Sequence, residues 1–184
     1  MNYSDIYIKD VKVIHPKIYK DDRGFFLESY NYLKYKDVLN FNNNFVQDNH
    51  SKSSHGVLRG LHFQKNNPQG KLVRVIAGSV FDVIVDLRKK SKTFGKWFGI
   101  DLSADNKTQL WVPPGFAHGF YTTSSFAEFE YKCTSFYEPS DEYCLTWDDD
   151  DVKIKWPIIN NKVSISPKDK EGLSLNQLIS MDII

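Results

Sequence analysis

From Gly56 onward the chain is a succession of short apolar segments broken by turn residues, and this spacing limits the fold more than any other feature. Residues 71–77, 80–87, 97–102, 109–112, 120–122 and 128–136 each read as a strand. About seven short strands or more, with no helical periodicity between them, point to an all-β sandwich or barrel. The Gly78-Ser79 step between the first two predicts a tight hairpin.

The earlier part is more mixed. Residues 6–14 read as an opening strand ended by His15-Pro16, because proline cannot donate to a central ladder. Asp21-Asp22-Arg23-Gly24 is a turn before a strand at 25–30. Residues 31–39 form the best helix candidate, with Leu33, Val38 and Leu39 as its apolar stripe. A polar loop is expected at 40–44, a strand at 45–50 and a loop at 51–55. Beyond an acidic turn at 148–151, a short helix is expected around 173–179. No repeat or linker divides the 184 residues, so 1–184 is read as one domain.

A formal net charge of +1 with no long single-sign run argues against nucleic-acid binding through a broad basic patch. No apolar run reaches the roughly 18 residues of a membrane span. Cys133 and Cys144 have no metal-type spacing, and so few cysteines without a signal peptide point to a reducing cytoplasm. The abundant aromatics suit a β-rich core, and equally a surface on which a flat ligand stacks.

Within this frame the stretch from Gly56 to Arg74 sets Arg59, His62 and Lys71 among apolar residues. Polar groups in an apolar surface mark pockets. Arg59 and His62 are an odd number of residues apart and would face opposite ways on a flat strand. Gly60 between them could supply a bulge that turns both inward. A second histidine, His118, follows Pro113-Pro114-Gly115-Phe116-Ala117, where proline and glycine force a sharp entry into a strand. That P-x-G-x-x-H pattern resembles the second motif of the cupin jelly rolls. The first cupin motif supplies metal ligands through His-x-His, but here the segment reads His62-Phe63-Gln64. An open metal site is not assembled by these residues, and no metal is expected.

Gly56-Val57-Leu58-Arg59-Gly60-Leu61-His62-Phe63-Gln64, Gln69-Gly70-Lys71-Leu72-Val73-Arg74-Val75, Pro114-Gly115-Phe116-Ala117-His118-Gly119-Phe120 and Glu130-Tyr131-Lys132-Cys133-Thr134 together resemble the signature segments of the dTDP-4-dehydrorhamnose 3,5-epimerases. The similarity runs from Asp22-Arg23-Gly24-Phe25-Phe26 to Ser166-Pro167-Lys168-Asp169. It implies a cupin jelly roll with a few short helices near the termini. It also implies a cofactor-free, generally homodimeric epimerase of a nucleotide-diphosphate-linked 4-keto-6-deoxy sugar, inverting carbon 3, carbon 5 or both through an enolate. By this resemblance His62 is the base, Asp169 its orienting carboxylate, Tyr131 the proton donor from the opposite side and Lys71 the charge at the developing oxyanion. Arg23 and Arg59 would bind the diphosphate, and Glu28, Gln47, Asn49, His118, Glu142 and Lys168 match other ligand-contact positions. Arg23 and Glu28 would reach a neighbouring subunit, since amino-terminal strand exchange is a feature of the family. Phe136 and Tyr137 are candidates for stacking on the base.

Two departures stand out: Phe63 where the family commonly has tyrosine, and Pro114 where it usually has glutamate. The readings left open are a GDP-linked hexose or heptose substrate, inversion at carbon 3 alone, a 3,4-ketoisomerase, and a non-catalytic sugar-nucleotide-binding cupin. A metal-dependent oxygenase stands last.

Overall fold

The computed structural model describes residues 1–40, 44–158, 160 and 162–184, so most of the polar loop expected at 40–44 lies outside the described residues. In chain order the strands are β1 (Asn2–Asp5), β2 (Lys12–His15), β3 (Ile18–Asp21), β4 (Gly24–Leu27), β5 (Gln47–Ser54), β6 (Leu58–Gln64) and β7 (Lys71–Ala77). They continue as β8 (Ser79–Asp86), β9 (Trp97–Ser103), β10 (Gln109–Val112), β11 (Phe116–Thr122), β12 (Phe126–Cys133) and β13 (Glu142–Cys144). The helices are α1 (Tyr32–Leu39), α2 (Pro167–Lys170) and α3 (Leu175–Ser180). None is long and apolar enough to cross a membrane.

Two antiparallel sheets face each other. Sheet one has the order β1-β2-β10-β7-β12-β5 and sheet two the order β13-β6-β11-β8-β9, while β3 and β4 form a separate hairpin. Alternation along each strand divides the apolar residues into three layers. Val73, Val75, Leu110 and Phe129 of sheet one meet Val80, Ile84, Leu102 and Phe120 of sheet two in the space between. On the far side of sheet two, Leu61, Val83, Val85 and Ala117 are covered by Leu145, Val152, Leu175 and Leu178 of the C-terminal segment. Strand β8, an inner strand of sheet two, is therefore buried on both faces, which is why it reads as a near-continuous apolar run. On the far side of sheet one, Ile14, Leu72 and Trp111 are covered by Tyr35 and Leu39 of α1.

Helix α1 begins where expected, with Asn31 accepting from the Lys34 amide and Asn40 closing it in the left-handed region at φ 47°. Its stripe differs from the expected one. Leu33 is 71% exposed, and Tyr35 is buried instead, donating its hydroxyl to Gln109 Oε1 at 2.8 Å.

Several boundaries are corrected. Of the opening strand expected at 6–14 only the end is strand, in β2; residues 6–11 connect it to β1, turning through Asp10 at φ 74° so that β1 folds back onto β2. The strand expected at 45–50 begins later and absorbs the loop expected at 51–55, giving β5. The strand expected at 25–30 stops at Leu27, and the one expected at 128–136 spans Phe126–Cys133. The tail carries α2 in addition to its expected helix.

The hairpin at Gly78 is a correction of kind. Strands β7 and β8 lie in different sheets, so Gly78 is a corner where the chain changes sheet. It has φ +72°, and a Cβ there would stand 1.9 Å from the Phe126 carbonyl. Only glycine fits that conformation and that approach.

Candidate active site

Where the filling between the sheets is incomplete, a cavity of about 370 Å³ opens, and most of the polar residues singled out in the sequence line it. Strand β6 supplies His62 and Arg59 on the same side. Its pairing with β11 slips between His118 and Phe120, and Gly60 takes φ +103° at the slip. A Cβ on Gly60 would fall 2.6 Å from the His118 carbonyl, and one on Gly119 2.5 Å from the Arg59 carbonyl. The two glycines let the strands approach closely enough for the bulge, as expected from the sequence. Leu61 faces the outer layer while His62 faces inward, and the bulge returns Arg59 to the cavity side.

His62 is held from behind. Its Nε2 lies 2.6 Å from Asp169 Oδ1, on α2, 107 positions further along the chain. Burial alone would raise the Asp169 carboxyl, but the hydrogen bond and charge of His62, the Gly60 amide and Ser166 outweigh it and hold it below the usual carboxylate range. An ionised carboxylate only accepts, so Nε2 carries the ring proton and Nδ1 keeps its lone pair. Glu142 Oε1 stands 4.0 Å from that Nδ1.

Sheet one provides the opposite wall. Tyr131 on β12 lines the same cavity, and burial, assisted by Cys133, pushes its hydroxyl up to about 12. The phenol is thus protonated at neutral pH. Lys71 opens β7 opposite Cys133 and is only 6% exposed. Burial pulls its ammonium below the usual lysine range, and no salt bridge to it is found among the described residues. A buried cation without a counter-ion is costly, and an anionic guest would remove that cost.

The remaining lining is ordered by its neighbours. Arg59 donates to Ser53 Oγ at 2.9 Å and to the Lys52 carbonyl at 3.2 Å. Gln47 donates to Asn49 at 3.0 Å and accepts from the Tyr137 amide at 2.8 Å. At the mouth, Tyr137 donates to Glu142 at 2.9 Å, and Lys168 pairs with the same carboxylate.

Asp82, Gln69 and Ser51 escaped notice in the sequence. Asp82 is fully buried on β8, 2.9 Å from His118 Nε2, and burial raises its carboxyl against the opposing pull of His118. Its signal was one carboxylate in the apolar run Val80-Phe81-Asp82-Val83-Ile84. Gln69, which donates to the Ser135 carbonyl, also lines the cavity.

Arg23 and Glu28 are not brought to this cavity within the chain. Arg23 is paired with Asp21 on the β3–β4 hairpin, and Glu28 with Lys34. Phe136 is 70% exposed, whereas Tyr137 borders the cavity. The Phe63 ring stacks on Tyr143, 5.8 Å between centroids. His62, Asp169 and Cys144 have donor atoms within 4.8 Å of one another, a spacing a metal ion could use. The facing atoms of His62 and Asp169 are already joined, however, and burial keeps the Cys144 thiol protonated, up to about 12. That donor set fits a metal poorly. Both cysteines are free and buried.

This constellation can remove a proton with His62, return one from Tyr131 on the opposite wall, and hold a negative oxygen near Lys71. The family model described as dTDP-4-dehydrorhamnose 3,5-epimerase matches residues 5–177. A relative of that name from Salmonella typhimurium is 52% identical over 173 residues, 94% of each chain. One from Escherichia coli is 49% identical over 185 residues, covering both chains in full. A crystal structure of dTDP-6-deoxy-D-glucose-3,5-epimerase from Legionella pneumophila, in complex with dTDP-4-keto-L-rhamnose, superposes with a TM-score of 0.96 at 49% identity, covering 100% of this chain and 96% of that one. The family model, the relatives and the superposed structure each cover nearly the whole chain, and the chain belongs to the dTDP-4-dehydrorhamnose 3,5-epimerase family.

Proposed function

We propose that the protein is an isomerase that inverts carbons 3 and 5 of a dTDP-linked 4-keto-6-deoxy sugar through enolate intermediates, without a cofactor. The keto group acidifies the hydrogens on both neighbouring carbons. His62 Nδ1 takes one of them as the C–H electron pair moves toward the keto oxygen, and the Lys71 ammonium stabilises the charge gathering there. Tyr131 then delivers its phenolic proton to the other face of the carbon, and the centre is inverted. Asp169 fixes the tautomer of His62 and stabilises the imidazolium. Arg59 is assigned to the diphosphate by its bidentate geometry. Gln47, Asn49, His118, Glu142 and Lys168 are assigned to contacts along the ligand, and Tyr137 to the base.

The observation that carries this reading is the opposition of His62 and Tyr131, from two different sheets, across one cavity that also holds Lys71. The dTDP sugar is preferred over a GDP sugar because the similar proteins are named for dTDP substrates. A homodimer is the proposed assembly, with Arg23 and Glu28, on or beside the separate β3–β4 hairpin, reaching the partner's cavity. The exposed Phe25 and Phe26 of β4 support it, as an apolar arm needs a surface to cover it. The cytoplasm is the proposed compartment.

Turnover in deuterated water tests the reading. Deuterium is expected at carbons 3 and 5 of the dTDP sugar. Label at carbon 3 alone would reduce the activity to a single inversion, and no label with any dTDP- or GDP-linked 4-keto sugar would remove it. Migration of the keto group to carbon 3 would make the protein a ketoisomerase.

A further inference from the structure

We infer that Glu142 carries the abstracted proton from His62 out to solvent, resetting the base after each inversion; this rests on the epimerase reading. One inversion leaves the enzyme in the wrong state for the next. The hydrogen taken from carbon sits on His62 as an imidazolium, and Tyr131, having given its proton away, is a phenolate. A second inversion needs His62 to lose one proton and Tyr131 to gain one, so the two exchanges with solvent sum to zero.

Asp169 is badly placed to empty the histidine. It is 3% exposed and bound by the Gly60 amide, so a proton moved to it goes no further. The exit must lie on the Nδ1 side, where the proton arrives. Among the described residues the carboxylate beside Nδ1 is Glu142, with Oε1 at 4.0 Å. Its other oxygen faces the mouth, accepting from the Tyr137 hydroxyl at 2.9 Å and pairing with the Lys168 ammonium. The Glu142 side chain is 10% exposed, and that of Lys168 54%. A single carboxylate therefore links the part-buried base to the residues at the cavity mouth.

Rotation of the Glu142 side chain closes the 4.0 Å gap to hydrogen-bond length, and the proton passes from Nδ1 to Oε1. It leaves from Glu142 to bulk water, directly or through the Tyr137 hydroxyl, which can accept and donate in turn. Asp169, Cys144, Tyr137 and Lys168 are the other ionisable groups around the Glu142–His62 pair, and burial keeps the Cys144 thiol protonated, up to about 12. Lys168 pairs with the outer oxygen of Glu142 and leaves Oε1 facing His62.

The test is Glu142→Gln, which keeps shape and hydrogen bonding and loses the acceptor for a proton. With saturating dTDP-linked 4-keto-6-deoxy sugar in weak buffer, rapid quenching is expected to catch a burst, a first inversion well ahead of the steady rate. Steady turnover at saturating sugar should then fall tenfold or more, and added imidazole or formate should restore kcat severalfold. Lys168→Met, which leaves the carboxylate in place, should raise KM with no burst and no buffer dependence. Equal slowing of first and later turnovers, a rise in KM alone, an unchanged kcat, or a burst in Lys168→Met would each overturn the relay. Should Glu142→Gln fail to fold, Glu142→Asp takes its place. Its shorter reach should give a weaker, buffer-sensitive burst, and the lack of one counts against the proposal equally. Wild-type protein that incorporates no deuterium removes the epimerase reading and the relay together.

Discussion

Asp169→Asn is the sharpest probe of how His62 works. The substitution keeps the size of the side chain and an oxygen for the Gly60 amide, and it removes the charge 2.6 Å from Nε2. With charge centres about 4 Å apart and an effective dielectric constant of about 20, the imidazolium–carboxylate attraction is about 4 kcal/mol. Hydrogen bonds to charged groups contribute about 1.5–3 kcal/mol in mutational series. The His62 side chain is 30% exposed, so solvent reduces the larger figure. A loss of about 2–3 kcal/mol remains, which corresponds to about 30- to 150-fold in kcat. Asp169 does not line the cavity, so KM should be nearly unchanged. Steady-state kinetics with the dTDP sugar, beside the rate of carbon–hydrogen exchange in deuterated water, measures both. A kcat within threefold of wild type, or a loss confined to KM, would refute the orienting role. Acid sensitivity gives a second check. The Asp169 carboxyl lies below its unfolded value, so its stabilisation is present above about pH 3.9 and fades as pH falls through the folded value. The stability gap between wild type and the variant, read by denaturant titration, should narrow on acidification.

Three further outcomes follow from the same geometry. Tyr131→Phe should still exchange the substrate hydrogen through His62 while product formation falls about 100-fold or more, seen as deuterium uptake into recovered substrate. Lys71→Met should lower kcat about 100- to 1000-fold through loss of oxyanion stabilisation, yet leave the fold equally or more stable, because it removes a buried charge without a counter-ion. Lysine 71 titrates below its unfolded value, so wild-type stability should rise relative to Lys71→Met as pH climbs from the folded value toward about 10.4, measured by alkaline denaturant titration. Gly60→Ala should destabilise by about 2–4 kcal/mol, since a non-glycine residue at φ +103° is strained and its Cβ meets the His118 carbonyl at 2.6 Å; an unshifted melting temperature would contradict this.

The sequence was most legible where alternation and burial agree. Gln109–Val112 and Lys71–Ala77 match their predicted bounds because each is an apolar strand between turn residues. Strand β5 was misread for the opposite reason. Its inward side chains Gln47, Asn49 and Ser51 line a cavity, so the usual apolar-in pattern is replaced by a polar one that looks like loop. At Gly78 the local signal was ambiguous, since a glycine between two strands can reverse a hairpin or turn a corner between sheets, and only long-range pairing decides. Of the site, Arg59, His62, Lys71 and His118 stood out as polar groups in apolar strands. Tyr131 and Asp169 owed their selection to the family resemblance, because one aromatic in a strand and one acid in a tail carry no signal alone. Asp82 stayed hidden because its partner His118 stands 36 positions further on, and only the pairing of β8 with β11 brings the two together.

The 107-residue separation between His62 and Asp169 has an effect on how activity is lost. The carboxylate that primes the histidine rides on a short helix of the segment packed over sheet two, while the histidine itself belongs to the barrel. Peeling that segment away would disarm the enzyme while both sheets still stand. Inactivation by heat or denaturant should therefore precede the melting of the strands, leaving a barrel that is intact and chemically silent.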